Sequence, residues 1–162
     1  MNPMRTKSLL PTLVLIAAPL GAQTVDKPSL TLDGARRVIA AAESYARQHQ
    51  TTGVVAVVDD GGNLIYVERL DPTFPASAEI AIHKARTAAL FQRPSKVLED
   101  AISSGRTSLL KVAEAPLQGG EPIRVNGVIV GAIGVSGAAS AARDEAIALV
   151  GAAALAATTS NR

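Results

Sequence analysis

The sequence predicts a single α+β domain in which a mainly antiparallel sheet, built from two β-hairpins, is covered by helices. Three observations carry this reading. Two β-branched segments each fold back at a turn cluster, apolar residues recur at helical spacing around them, and no single strand alternates with a helix as a dinucleotide-binding crossover requires. With 162 residues, 48% of them apolar, one domain is the natural count.

The first helix begins at Thr31, a capping residue, and Leu32, Ala35, Ile39, Ala42 and Ala46 carry its apolar stripe to about His49. Gly53 breaks that pattern. Residues 54–58 form a short β-branched run, Asp59-Asp60-Gly61-Gly62-Asn63 a turn, and residues 64–70 the returning strand. Pro72 and Pro75 end the hairpin, and Ser77 opens a second helix with Ala78, Ala81, Ala85, Ala88 and Phe91 on one side. Pro94 stops it, Ser95 is expected to cap a third helix to about Ser104, and Gly105 is placed to end that one.

Residues 106–122, with Pro116, Gly119, Gly120 and Pro122, read as an ordered but irregular loop. Residues 123–125 and 128–135 then flank Asn126-Gly127, the dipeptide suited to a type I′ turn because both central residues need positive φ. Gly134-Val135-Ser136-Gly137 turns the chain into a last helix over about 140–156, and residues 158–162 read as a frayed tail. Alanine-rich helices, with Gly131 and Gly134 inside the last strand, point to close backbone contact and to a homo-oligomer.

Arg5 and Lys7 precede an apolar run over 9–20, followed by Gly21, Ala22 and Gln23, the pattern of a signal peptide over 1–22 cut after Ala22. A helix of that run reaches only ~18 Å of a ~30 Å hydrocarbon layer, so it is too short to span. The expected mature domain is 23–162, periplasmic or secreted, with no membrane attachment after cleavage. There are 16 Lys/Arg against 14 Asp/Glu, and removing Arg5 and Lys7 balances the charge. A neutral chain whose aromatics are Tyr45, Tyr66, Phe74 and Phe91 lacks the basic footprint and stacking platforms of a nucleic-acid binder. The absence of cysteine removes thiol chemistry and Cys-metal sites.

Few side chains remain for chemistry. His49 ends the first helix, where an imidazole can serve the last carbonyls. His83 lies mid-helix, one turn from Glu79 and Thr87. It is either an exposed residue paired with Glu79 or the leading nitrogen ligand for a haem iron, with Tyr66 and Tyr45 as oxygen alternatives. Two histidines so far apart give no spacing for a zinc or non-haem iron centre. Lys84, the Arg69-Leu70-Asp71 stretch, Gly119-Gly120 and the turn through Ser136 and Gly137 could together form a pocket for a small anion, since glycines let backbone N–H groups approach a carboxylate or phosphate. Ser136 as a nucleophile lacks both the elbow pattern and a base.

The chain resembles the GlcG/HbpS-like haem-binding family, also found as the C-terminal domain of some cobalamin adenosyltransferases. The resemblance rests on Val57-Val58-Asp59 with Gly61-Gly62, Arg69-Leu70-Asp71, Ala81 with Lys84-Ala85-Arg86-Thr87-Ala88 and Phe91, Pro116-Leu117-Gln118-Gly119-Gly120 with Pro122-Ile123, and the segment from Gly131 to Gly137 with Asp144. It implies a compact α+β unit, oligomeric assembly and, for some members, haem near the second helix. Haem is therefore the expected cofactor, with His83 as iron ligand, Lys84 or Arg86 pairing with a propionate, and Asp71, Gly120 and Ser136 as further pocket residues. Two other readings stay open: an enzyme acting on an organic acid held by Lys84, with Asp71 or Asp60 as base, and a ligand-free structural or accessory oligomer.

Overall fold

A computed structural model describes residue 23 and residues 25–156, so the leader over 1–22 and the tail over 158–162 lie outside the described residues. The elements are α1 (Leu32–Gln48), β1 (Val54–Asp59), β2 (Leu64–Arg69), α2 (Ser77–Phe91), α3 (Ser95–Ser103), a 3₁₀ segment (Thr107–Lys111), β3 (Gly120–Val125), β4 (Val128–Ser136) and α4 (Ala141–Ala153). The strands form one antiparallel sheet in the order β2-β1-β4-β3.

Helices cover both faces, which is why β1 reads as an uninterrupted apolar run. Val54, Ala56 and Val58 pack with Ala81, Ile82, Ala85, Ala88 and Ala89 of α2. Val55 and Val57 join the main core on the opposite face, with Val38 and Ile39 of α1 and Ile147 and Ala148 of α4. The side chains of Ile39, Ile123, Ile133 and Ile147 are almost wholly shielded, each burial stabilising by about 1.5–3 kcal/mol.

The caps follow the sequence at both ends of the chain. Thr31 Oγ1 accepts from Gly34 N at 3.1 Å, and Ser140 Oγ accepts from Arg143 N at 3.2 Å. Asn126 and Gly127 have φ of 50° and 80°, as a type I′ turn requires. Asp59 anchors the first hairpin turn, its Oδ1 accepting from Gly61 N at 2.9 Å and Asn63 N at 2.8 Å.

Four expectations are corrected. Ser95 is the first residue of α3 and makes no cap hydrogen bond, because its hydroxyl is used elsewhere. The loop over 106–122 contains the 3₁₀ segment and gives up its end to β3, which starts at Gly120 because Gly120 pairs with Gly134. α4 stops at Ala153. The strand glycines serve the protomer itself: a Cβ on Gly134 would strike the Ala81 carbonyl and Ala85 N of α2, and one on Gly120 would strike the Lys84 carbonyl. α2 therefore lies directly on the sheet over this glycine pair, a contact no other residue type permits.

Candidate functional site

α2 presents two chemically different sides, and the site residues divide between them. Lys84 falls on the stripe Ala81-Lys84-Ala85-Ala88 that faces the sheet, and it is 3% exposed. Its Nζ donates to Asp144 Oδ2 at 2.8 Å and to the Val135 carbonyl at 2.9 Å. Asp144 Oδ1 in turn accepts from Ala138 N at 2.9 Å. Gly119, at φ 114°, passes so close that a Cβ there would lie 3.2 Å from Lys84 Nζ. Lys84, Gly119 and Asp144 thus clasp α2, β4 and α4 together. The ammonium is neutralised from within, so it is not displayed to an external anion.

The other pocket candidates disperse. Gly120 lies under α2, Ser136 is buried at the end of β4 opposite Val54, and Asp71 is exposed between β2 and α2 with no ion pair to Lys84 or His83. Asp60 pairs with Lys27, and the Tyr66 hydroxyl donates to Glu68 Oε2 at 3.4 Å.

His83 and Arg86 occupy the outward side of α2. His83 Nε2 lies 3.6 Å from Glu114 Oε2 and 3.9 Å from Glu79 Oε2, distances of ionic proximity rather than hydrogen bonding. Arg86 Nη1 is 3.6 Å from the same Glu114 oxygen, while its Nε donates to the Gly62 carbonyl at 3.0 Å. Beside His83 opens a cleft of about 420 Å³. Ile80 of α2, Ile102 of α3, Leu110 of the 3₁₀ segment and Pro116 and Leu117 of the following loop make it largely apolar, with Glu99 and Glu114 among the lining residues.

The loop that reads as irregular in sequence is thus the cleft's outer wall, and side chains fix it there. Thr87 Oγ1 accepts from Ala115 N at 3.2 Å. Ser95 Oγ accepts from Gly120 N at 2.8 Å and donates to the Leu117 carbonyl. Glu99 Oε2 accepts from Gln118 N at 2.6 Å, and Gln118 Nε2 donates to Glu145 Oε2 at 2.7 Å. Glu114, Glu99 and Leu110 were not among the residues the sequence singled out, because they come from elements distant in the chain. Glu121 of β3, opposite Ile133, is buried on the α4 face of the sheet, and burial, reinforced by the Glu145 charge, pushes its carboxyl up to about 7.

The fold and the cleft define a class: small α+β domains in which one helix rides on a glycine pair of an antiparallel sheet and a loop packs against that helix to enclose a ligand-sized cleft. The chain belongs to the HbpS-like family, whose model, described as haem degrading protein HbpS-like, matches residues 30–153. It is 40% identical to protein GlcG of Escherichia coli K12 over 111 residues, 68% of this chain and 83% of that one. A solved double mutant of Streptomyces reticuli HbpS is similar at a TM-score of 0.76 and 34% identity, covering 90% of this chain and 99% of its own. A PduOC:haem complex is similar at a TM-score of 0.70 and 26% identity, covering 78% and 95%. These likenesses bear out the α+β architecture and the family resemblance.

Proposed function

We propose that this is an exported haem-binding or haem-handling protein that takes the tetrapyrrole into the cleft beside His83. The observation that carries the reading is an imidazole that makes no hydrogen bond among the described residues, at the side of a cleft of about 420 Å³ with mostly apolar walls. Family membership and the haem complex of a similar protein support it. His83 serves as the axial ligand and the aliphatic walls shield the ring. Bound haem supplies an iron whose electronic state follows its axial ligand. Arg86 reaches a propionate only by releasing Glu114, and Lys84 is withdrawn into the clasp. Lys111, next to the lining residue Leu110, is exposed and unpaired among the described residues, and takes the propionate role.

Haemin titrated into the purified protein should give a shifted Soret band. His83→Ala should weaken binding and alter the spectrum, His49→Ala should leave both nearly unchanged, and Lys111→Ala should lower affinity by about 1–3 kcal/mol at constant spectrum. An absent Soret shift ends the haem reading; a wild-type spectrum from His83→Ala ends the assignment of His83 as the iron ligand, and Tyr66, packed on the opposite face of the sheet, does not take its place in this cleft. Export and assembly belong to the same proposal. The leader pattern supports a mature N-terminus at or near Gln23, which mass spectrometry of the periplasmic fraction tests, and light scattering above one protomer's mass tests the homo-oligomer.

A further inference from the structure

A second cavity, of about 210 Å³, lies on the opposite side of the sheet from α2, between the end of α1 and the start of α4. Tyr45, His49, Thr51, Arg143, Ala146 and Ile147 line it. The sequence makes this corner deliberately: Gln50, at φ 48°, turns the chain sharply out of α1, and Thr51 N returns to the Ala46 carbonyl at 3.0 Å. His49 Nδ1 lies 2.9 Å from the Tyr45 carbonyl, so it is the donor and Nε2 is left for other partners. The Tyr45 and His49 rings stack at 3.9 Å between centroids.

We propose that this cavity binds a small monocarboxylate with a flat apolar body. Arg143 carries the argument. Its guanidinium has no ion pair or hydrogen bond among the described residues, whereas Arg36, Arg47 and Arg86 each pair with a carboxylate. It also sits in the first turn of α4, the positive end of the helix dipole, where an uncompensated cation is disfavoured and an anion is favoured. A guanidinium fork matches a carboxylate in two parallel hydrogen bonds, and one free cation matches one negative charge. The Tyr45 hydroxyl and His49 Nε2 offer further polar contacts. The stacked rings with Ala146 and Ile147 offer a flat apolar seat. The cavity has about half the volume of the cleft beside His83, too little for a tetrapyrrole.

Sodium benzoate is the probe, titrated into the full chain with calorimetry and with the His49 ring resonances as reporters. The expected result is saturable millimolar or tighter binding that shifts those resonances, weakened at least about tenfold in Arg143→Gln, partly kept in Arg143→Lys, and absent for neutral benzamide. Equal binding of benzamide, unchanged affinity in Arg143→Gln, or no saturation with benzoate overturns the site. Haemin titration of Arg143→Gln should reproduce the wild-type Soret change, so the two sites fail or stand separately.

Discussion

Lys84 Nζ lies 2.8 Å from Asp144 Oδ2, and both side chains are withdrawn from solvent at the junction of α2 and α4. A buried ion pair contributes little net stability when intact, because desolvation offsets attraction, but removing one member strands the other. Lys84→Met should therefore destabilise the fold by about 3–5 kcal/mol in denaturant unfolding, and adding Asp144→Leu should recover much of that loss. A single variant as stable as the wild type would show that the pair does not join the helices.

Glu121 should make stability depend on pH near neutrality. Its folded carboxyl is raised to about 7 from an ordinary 4.5, so between those values the folded state binds more protons than the unfolded one. The sign is that stability is greatest below about pH 4.5 for this group, falls as pH rises, and is fully lost above 7. At about 1.4 kcal/mol per unit, the loss is on the order of 3 to 4 kcal/mol at most. Urea midpoints at pH 5.5 and 8 should differ in that direction, and Glu121→Gln should flatten the difference. An unchanged profile in Glu121→Gln would assign the dependence to other groups.

Gly134→Ala should destabilise strongly, at or above the upper end of the about 1–3 kcal/mol usual for overpacking, because its Cβ would meet the backbone of α2 at Ala81 and Ala85. Gly127→Ala, in open space at φ 80°, should cost only about 1 kcal/mol from its backbone conformation. Thermal melts of the two variants side by side check the ranking; a reversed order would mean that α2 shifts freely on the sheet.

Ser77 Oγ is fully buried with no hydrogen-bond partner among the described residues. An unsatisfied hydroxyl costs about 1–3 kcal/mol, so Ser77→Ala should raise stability by about 1 kcal/mol. A loss of stability on this substitution would reveal a partner for the hydroxyl.

Periodicity and turn chemistry were enough to read the helices, both hairpins and the Asn126-Gly127 turn, because each rests on contacts within a few residues. The burial of Lys84 was also readable, since it shares the helical face of Ala81, Ala85 and Ala88, although its charge argued for a pocket instead. By itself the sequence also determined the family, through motifs spread in order along the chain. Which motif residues touch was decided only in three dimensions. Asp144 reaches Lys84 across 60 positions of sequence, and Glu114 reaches His83 across a loop with no periodic signal. The early start of β3 depended on Gly120 finding Gly134, and Ser95 left its expected cap role to clip Leu117 and Gly120. Local propensity is a property of neighbouring residues, whereas a charge partner, a cleft wall or a bare-backbone crossing exists only after packing has brought distant segments together.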